Sequence, residues 1–173
     1  NGLIKRENLG MIKGRTRRVQ LDMAKKYGIE NPPNAGGGCL LTDPTFGLRA
    51  KDLFVHTETP TINDIDLLKI GRHFRFDEQT KFVVGRNKDE NEMIKAIALP
   101  GDILFHARDH MGPVSILRGK NADAHVKFAS SITLRYSDAP KGEQASVIIN
   151  KDNTQKEIIT QHAEEESYIK FRI

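Results

Sequence analysis

Between Val83 and Pro113 the chain reads VVGRNKDENEM and then ALPGDILFHARDHMGP, and this stretch restricts the fold more than any other. An apolar run ends at Gly85-Arg86-Asn87, and Glu90 stands three residues after Asn87, the spacing of a capping box at a helix start. Met93, Ile94 and Ile97 then recur at helical spacing, so the helix turns that face inward. Ile103 to His106 resumes as a strand, and Gly112-Pro113 closes the loop that follows. A strand, a capped helix and a second strand are therefore expected in quick succession. Arg86, Asn87, His106, Arg108 and His110 fall at their ends, where side chains are free to meet an anionic ligand such as a nucleic-acid backbone.

The same texture continues on either side. Short β runs are expected at His73 to Phe76, Lys81 to Val84, Ile103 to His106, Val114 to Arg118, Ala145 to Asn150, Glu157 to Thr160 and Tyr168 to Arg172. A second helix is expected from about Asp123 to Tyr136, with Val126, Ala129 and Ile132 inward. Before Gly71 the pattern is helical. Val19, Met23 and Ala24 recur over Arg15 to Tyr27, with Gly28 placed to stop the helix in a left-handed cap. Asn31 to Gly38 (NPPNAGGG) breaks regular structure, and Thr42-Asp43-Pro44 reads as a capped helix start. Asn63 is expected to cap a short helix carrying Ile65 and Leu68. The fold class is α+β: a helical arm with a Gly-rich loop over residues 1–66, then, over 67–173, a compact domain with a mixed β-sheet and two main helices.

At 173 residues, 38% hydrophobic and 29% charged, the chain can bury a real core without staples. It has no apolar run long enough to span a membrane and no signal peptide, so neither a membrane partner nor secretion is expected. One cysteine, Cys39, excludes an internal disulfide framework and fits a reducing, cytoplasmic setting. The first residue is asparagine, within amphipathic sequence, which is expected of a piece of a longer polypeptide. The net charge is only +4 but is unevenly placed. Lys5, Arg6, Lys13, Arg15, Arg17, Arg18, Lys25 and Lys26 crowd the N-terminal segment, a pattern of anion-binding arms and equally of a solvated helix face.

Individual residues allow more than one role. Arg86, Arg108 and Arg118 are of the type that grips phosphates bidentately, with Arg72 on the neighbouring strand. Asn87 and Asn91 serve either to read base edges or to fix the turn, and Gly85 suits backbone geometry. His106 is placed either to stack on an unpaired base or to be satisfied by a carbonyl, while Phe105 suits the core. His106, His110 and His125 invite a metal reading, but the H-x3-H spacing lies over a strand end and turn rather than on one helical face, so no metal is expected. A hydrolase pair of His106 with Ser115 or Ser137 lacks a nucleophile elbow. Glu164-Glu165-Glu166 reads as a solvated turn. Cys39 follows three glycines and precedes a helix start, where a thiolate is stabilised, so it is either a sulfur carrier or an inert loop residue.

From Val83 onward the order of elements resembles the RNA-binding domain of the NFACT family, found in ribosome-associated quality-control factors. The resemblance is carried by Gly85-Arg86-Asn87, Asn91, Asp102, Leu104-Phe105-His106, Gly112-Pro113 and the helix ending at Tyr136-Ser137, and it covers roughly 72–173. It implies RNA binding, with Arg72, Arg86, Asn87, Asn91, His106, Arg108, His110 and Arg118 as the contacts, joined by Arg15, Arg17 and Arg18 of the arm. The arm, through Gly14 to Arg18, Ala24 to Ile29 and GGGCLLTDP, resembles the tail of PP-loop ATP-dependent tRNA thiolation enzymes. That implies a parent tRNA sulfurtransferase, with Cys39 as its sulfur-handling residue, a sulfur-donor protein as a further partner, and ATP and Mg bound by a PP-loop portion absent from this sequence. No cofactor is expected in the chain itself. A ribosome-docking interaction module and a self-contained Cys39 or His106 enzyme are the alternative readings, and the number of associating chains is left open.

Overall fold

The structure is a computed structural model that describes residues 17–30, 40–152 and 154–173. Arg15, Cys39 and the glycine loop lie outside the described residues. Contacts divide the chain into two units, Asn1–Leu40 and Leu41–Ile173. In the first, α1 (Arg18–Lys26) buries Ala24 and leaves Arg18, Lys25 and Lys26 exposed. Gly28 ends it at φ +68°, and Ile29 N–H reaches back to Ala24 C=O at 2.8 Å, as the sequence leads one to expect.

The second unit is a six-stranded sheet with helices on both faces, an α+β fold. Its strands are β1 (Arg72–Asp77), β2 (Thr80–Val84), β3 (Ile103–Ala107), β4 (Ser115–Gly119), β5 (Ala145–Lys151) and β6 (Thr154–Thr160). They lie in the order β1-β2-β4-β3-β5-β6, antiparallel throughout. Period-two alternation sorts their side chains. Phe74, Phe82, Ile103, Phe105, Leu117, Val147 and Ile149 point to one face, which α5 (Val126–Arg135) covers with Ala129, Ile132 and Leu134. Burial of each large ring contributes on the order of 1.5–3 kcal/mol, so this face carries most of the hydrophobic driving force. The other face presents Val83, Leu104 and Ile116 to Ile94 and Ile97 of α4 (Lys88–Ile97) and to Leu67 of α3 (Ile62–Leu68).

The division after Leu40 differs from the 66/67 boundary read from the sequence, because α2 (Pro44–His56) and α3 are tied to the sheet. Asp43 caps α2 by accepting from Phe46 N–H at 2.8 Å, with Pro44 at the first position. From α2, Asp52 takes Arg75 of β1 at 2.6 and 3.0 Å and Lys81 of β2 at 3.4 Å. Burial pushes the Lys81 ammonium down to about 8, against the attraction of Asp52. Arg49 satisfies the carbonyls of Leu68 and Gly71, both at 3.0 Å.

Two local readings are corrected. Thr61, not Asn63, caps α3, in a reciprocal box with Asp64; Asn63 is the second residue of the helix and bonds Ile97 C=O instead. The segment Tyr168 to Arg172 is not a strand but the end of α6 (Glu165–Tyr168) and a 3-10 turn at Ile169–Phe171, with a single bridge, Phe74 to Arg172. Helical spacing turns Tyr168 and Phe171 onto the same aromatic cluster. Tyr168 meets Phe74 edge-on at 5.9 Å, and Phe171 meets Phe76 at 5.7 Å and Phe128 at 5.8 Å. Strand alternation would have sent them to opposite sides.

His73 of β1 is 1% exposed; its Nε2–H donates to Ile70 C=O at 2.7 Å. Burial, then Lys81 and Arg49, hold it well below its ordinary 6.5. The unfolded chain therefore binds a proton at His73 that the folded one refuses, and stability present above pH 6.5 is lost as pH falls below it. Urea unfolding between pH 7 and pH 5 should show this loss, with a slope of up to about 1.4 kcal/mol per pH unit for one proton. His73→Gln should flatten that slope; an unchanged slope would exclude His73 as its source.

Candidate nucleic-acid interface

The end of β2, the start of α4, the β3–β4 loop and the C-terminal end of α5 form one rim of the sheet. Asn87 builds the first turn, its side-chain oxygen accepting from Glu90 N–H at 2.9 Å. Glu90 does not complete the box expected of it. Its carboxylate turns back to accept Arg86 N–H at 2.8 Å and Gly71 N–H at 3.2 Å, and it holds the Arg86 guanidinium through Nε at 2.9 and 3.0 Å and through Nη2.

Asn91 stitches this turn to the β3–β4 loop, accepting from Val114 N–H at 2.9 Å and donating to Gly112 C=O at 3.3 Å. The fit is close enough to require glycine at 85, where a Cβ would stand 2.2 Å from the Asn91 side-chain oxygen. The loop is locked on its far side too. A Cβ at Gly112 would lie 2.6 Å from that of Ser137, and Asp138 N–H donates to Met111 C=O at 2.8 Å.

The residues singled out from the sequence divide into three groups. Asn87 and Asn91 are construction: both side chains are committed to the turn and loop. Arg86 and Arg108 reach the rim but are paired. The Arg86 guanidinium is 46% exposed and its acidity is weakened by Glu90. Arg108 sends Nη1 to both Glu157 oxygens, at 2.9 and 2.8 Å, with Asp109 at 3.8 Å. Arg72 lies with its guanidinium 4.7 Å from the centre of the Tyr136 ring and donates to Gly85 C=O at 3.4 Å. Burial, with Tyr168 beside it, pushes the Tyr136 hydroxyl up to about 12, so it stays a neutral hydrogen-bonding group. His106 and His110 are half-buried with no side-chain partner among the described residues. Burial, with Lys95 nearby, holds His106 below its ordinary range, so it meets a ligand as neutral imidazole at pH 7.

Arg118 belongs to none of these groups and is the clear correction. It sits inward at the far end of β4, gripped by Asp102 at 2.7–3.1 Å, Asp64 at 3.0 Å, Asn63 at 2.8 Å and Ile97 C=O at 3.2 Å. Every direction of its fork is filled, so it is a structural bolt between β4, α3 and the α4–β3 connection. Arg17 and Arg18 belong to the first unit.

The hydrolase pairing of His106 with Ser115 fails on geometry. Ser115 is paired opposite Phe105 and so shares its face, where it accepts from Thr133 Oγ1 at 3.0 Å, whereas His106 points to the other. His125 is bound to Asp77 at 2.7 Å. Among the described residues no three His, Cys, Asp or Glu side chains are placed to share a metal ion, and no helix is long and apolar enough to cross a membrane.

Sequence reasoning passed over Arg135, Lys141 and His162. They stand at the same rim, at the end of α5, in the turn after it, and at the exit of β6. The available signal was that α5 puts its inward residues at 126, 129 and 132, which leaves Arg135 in the last turn beside the loop.

Comparison with known proteins adds to this geometry. A family described as NFACT protein RNA binding domain matches residues 71–172, which include both turns of the rim and the whole sheet. Among solved structures, the C-terminal part of the fibronectin/fibrinogen-binding protein from Streptococcus suis shares the fold. It has a TM-score of 0.50 and 15% identity, covering 96% of this chain and 83% of that one. No curated protein matches.

Removing a partner from a buried ion cluster costs about 3–5 kcal/mol. Arg118→Met should therefore lower the urea-unfolding free energy by about 3 kcal/mol, while RNA affinity of the folded protein, read by filter binding, changes less than about twofold. A large affinity loss without a stability loss would return Arg118 to the ligand surface.

Proposed function

We propose that this chain, which belongs to the NFACT RNA-binding domain family, holds structured RNA, tRNA in particular, along the rim where β2, β3 and β6 end. The observation that carries the reading is the family match over 71–172, because it spans the Gly85-Arg86-Asn87 turn, the His106 strand and the loop to Pro113 together. RNA is the partner class of that family by its description. The rim supplies what a folded RNA needs: guanidinium groups for phosphates, a neutral imidazole and aromatic rings for unpaired bases, and rigid turns that fix their spacing.

Within that reading, the chain is the RNA-holding portion of a sulfur-inserting tRNA enzyme. The GGGCLLTDP string supports this, since a thiol after three glycines and before the Asp43-capped α2 is suited to carrying sulfur. In such an enzyme a PP-loop portion binds ATP and Mg and activates the uridine, a donor protein supplies sulfur, and Cys39 delivers it while this domain retains the tRNA. The chain alone is then a binder, not a catalyst.

Filter binding of bulk tRNA at 50 and 200 mM salt tests the binding step. Three phosphate contacts predict an affinity loss of roughly 20- to 40-fold across that range through counterion release. Absence of any salt-dependent affinity would refute RNA binding by this domain. For the sulfur step, Cys39→Ala in a polypeptide carrying both portions should abolish tRNA thiolation and leave tRNA affinity within about twofold; undiminished thiolation would remove Cys39 from the chemistry.

A further inference from the structure

Three chain segments meet at one corner of the rim. The β3–β4 loop brings His110, the C-terminal end of α5 and the turn after it bring Arg135 and Lys141, and the exit of β6 brings His162 and Glu164. Backbone hydrogen bonds fix the meeting: Asp138 N–H to Met111 C=O at 2.8 Å, and Ala163 N–H to Ser131 C=O at 3.1 Å.

His162 is anomalous there. Both ring nitrogens are buried, and neither has a hydrogen-bond partner among the described residues. Buried polar nitrogens are ordinarily satisfied, so this imidazole is held in a state the resting fold does not favour. The charged groups facing it are Arg135 and Lys141, opposed by Glu164, with His110 nearby. Burial first, then Arg135 and Lys141, keep His162 below its ordinary range and so neutral. Arg135, Lys141 and His110 make no ion pair or side-chain hydrogen bond among the described residues, unlike Arg86 and Arg108. Arg135 and Lys141 thus bring two cations without an acidic partner to this corner, as Arg72, on the Tyr136 ring, does on the other side of the rim.

We propose that this corner is a seat for an RNA backbone phosphate, gripped by Arg135 and Lys141 with His110 at its edge, and that occupation draws a proton from solvent onto His162. The proposal rests on the RNA-binding reading and deepens it. A phosphate between the two cations offsets their repulsion of an imidazolium, so the buried ring accepts the proton without touching the ligand. Linkage is reciprocal: the factor by which RNA strengthens proton binding is the factor by which the proton strengthens RNA binding. His162 is thus a positioning residue with a pH signature, while Arg135 and Lys141 make the contact.

The test follows the imidazole signals of His162 by NMR across pH in the whole chain, free and saturated with a short single-stranded oligoribonucleotide, alongside affinities at fixed ionic strength. RNA should raise the His162 midpoint by roughly half a pH unit, and wild-type affinity should rise by up to about twofold from pH 7.5 to 6.0. His162→Gln should lose most of that rise, with His110→Gln reporting the share of the other histidine. In Arg135→Gln/Lys141→Gln the salt slope should fall by about 1, the mark of one lost phosphate, and the His162 midpoint should rise even without RNA. An unmoved midpoint at saturating RNA, or an undiminished slope in the double variant, would overturn the corner while RNA binding by the rest of the rim stands. Wild-type protein with no RNA affinity would remove the reading beneath it as well.

Discussion

The carboxylate of Glu90 holds the rim together. Its side chain is 9% exposed, and its two oxygens gather the N–H groups of Gly71 and Arg86 and the Arg86 guanidinium. Burial opposes ionisation of such a group, but the Arg86 side chain and the two backbone donors more than offset it, so the carboxyl lies below its ordinary range. Lying in the first turn of α4, the charge also meets the positive end of that helix. One side chain thereby fixes where β1 begins, where β2 ends and where α4 starts. Asn91, one residue further, extends that fixed frame to the β3–β4 loop.

Such a frame has an electrostatic consequence. Cations that build it are spent on it: Arg118 inside its acidic cluster, Arg75 on Asp52, and Arg86 on Glu90. A polyanion gains little from a guanidinium already neutralised at short range, unless it displaces the carboxylate. Cations that the fold leaves without an acidic partner include Arg72 beside the Gly-Arg-Asn turn and Arg135 at the end of α5. On the proposed reading the turn supplies shape and spacing, and these unpaired cations supply attraction.

Local physics explains what the sequence disclosed. The first six strand runs, the cap at Asn87, the proline start of α2 and the stop at Gly28 each depend on residues within a few positions of one another, and each is found where the spacing places it. The α+β class followed from those elements. What was hidden depends on partners distant in sequence. Arg118 and Asp64 are 54 positions apart, and Arg75 and Asp52 are 23; no local pattern marks them as pairs. Pairing decides whether an arginine is available to a ligand, so the candidate residues were recognisable as types but not as free or occupied. At the C-terminus two periodicities competed over Tyr168 to Arg172, and the aromatic cluster awaiting Tyr168 and Phe171 chose the helical one.

The seat of Gly112 on Ser137 separates anchoring from presentation within a single loop. The β3–β4 connection is held at its start by Arg108, through its N–H to Ser146 C=O at 2.9 Å and its ion pair with Glu157, and then from Met111 C=O onward by the Asp138 and Asn91 hydrogen bonds and the glycine contact. The side chains just before it, Asp109, His110 and Met111, the last 81% exposed, bear little of that load. Substitution at the exposed Asp109 and Met111 therefore changes the loop tip with little effect on the scaffold beneath it.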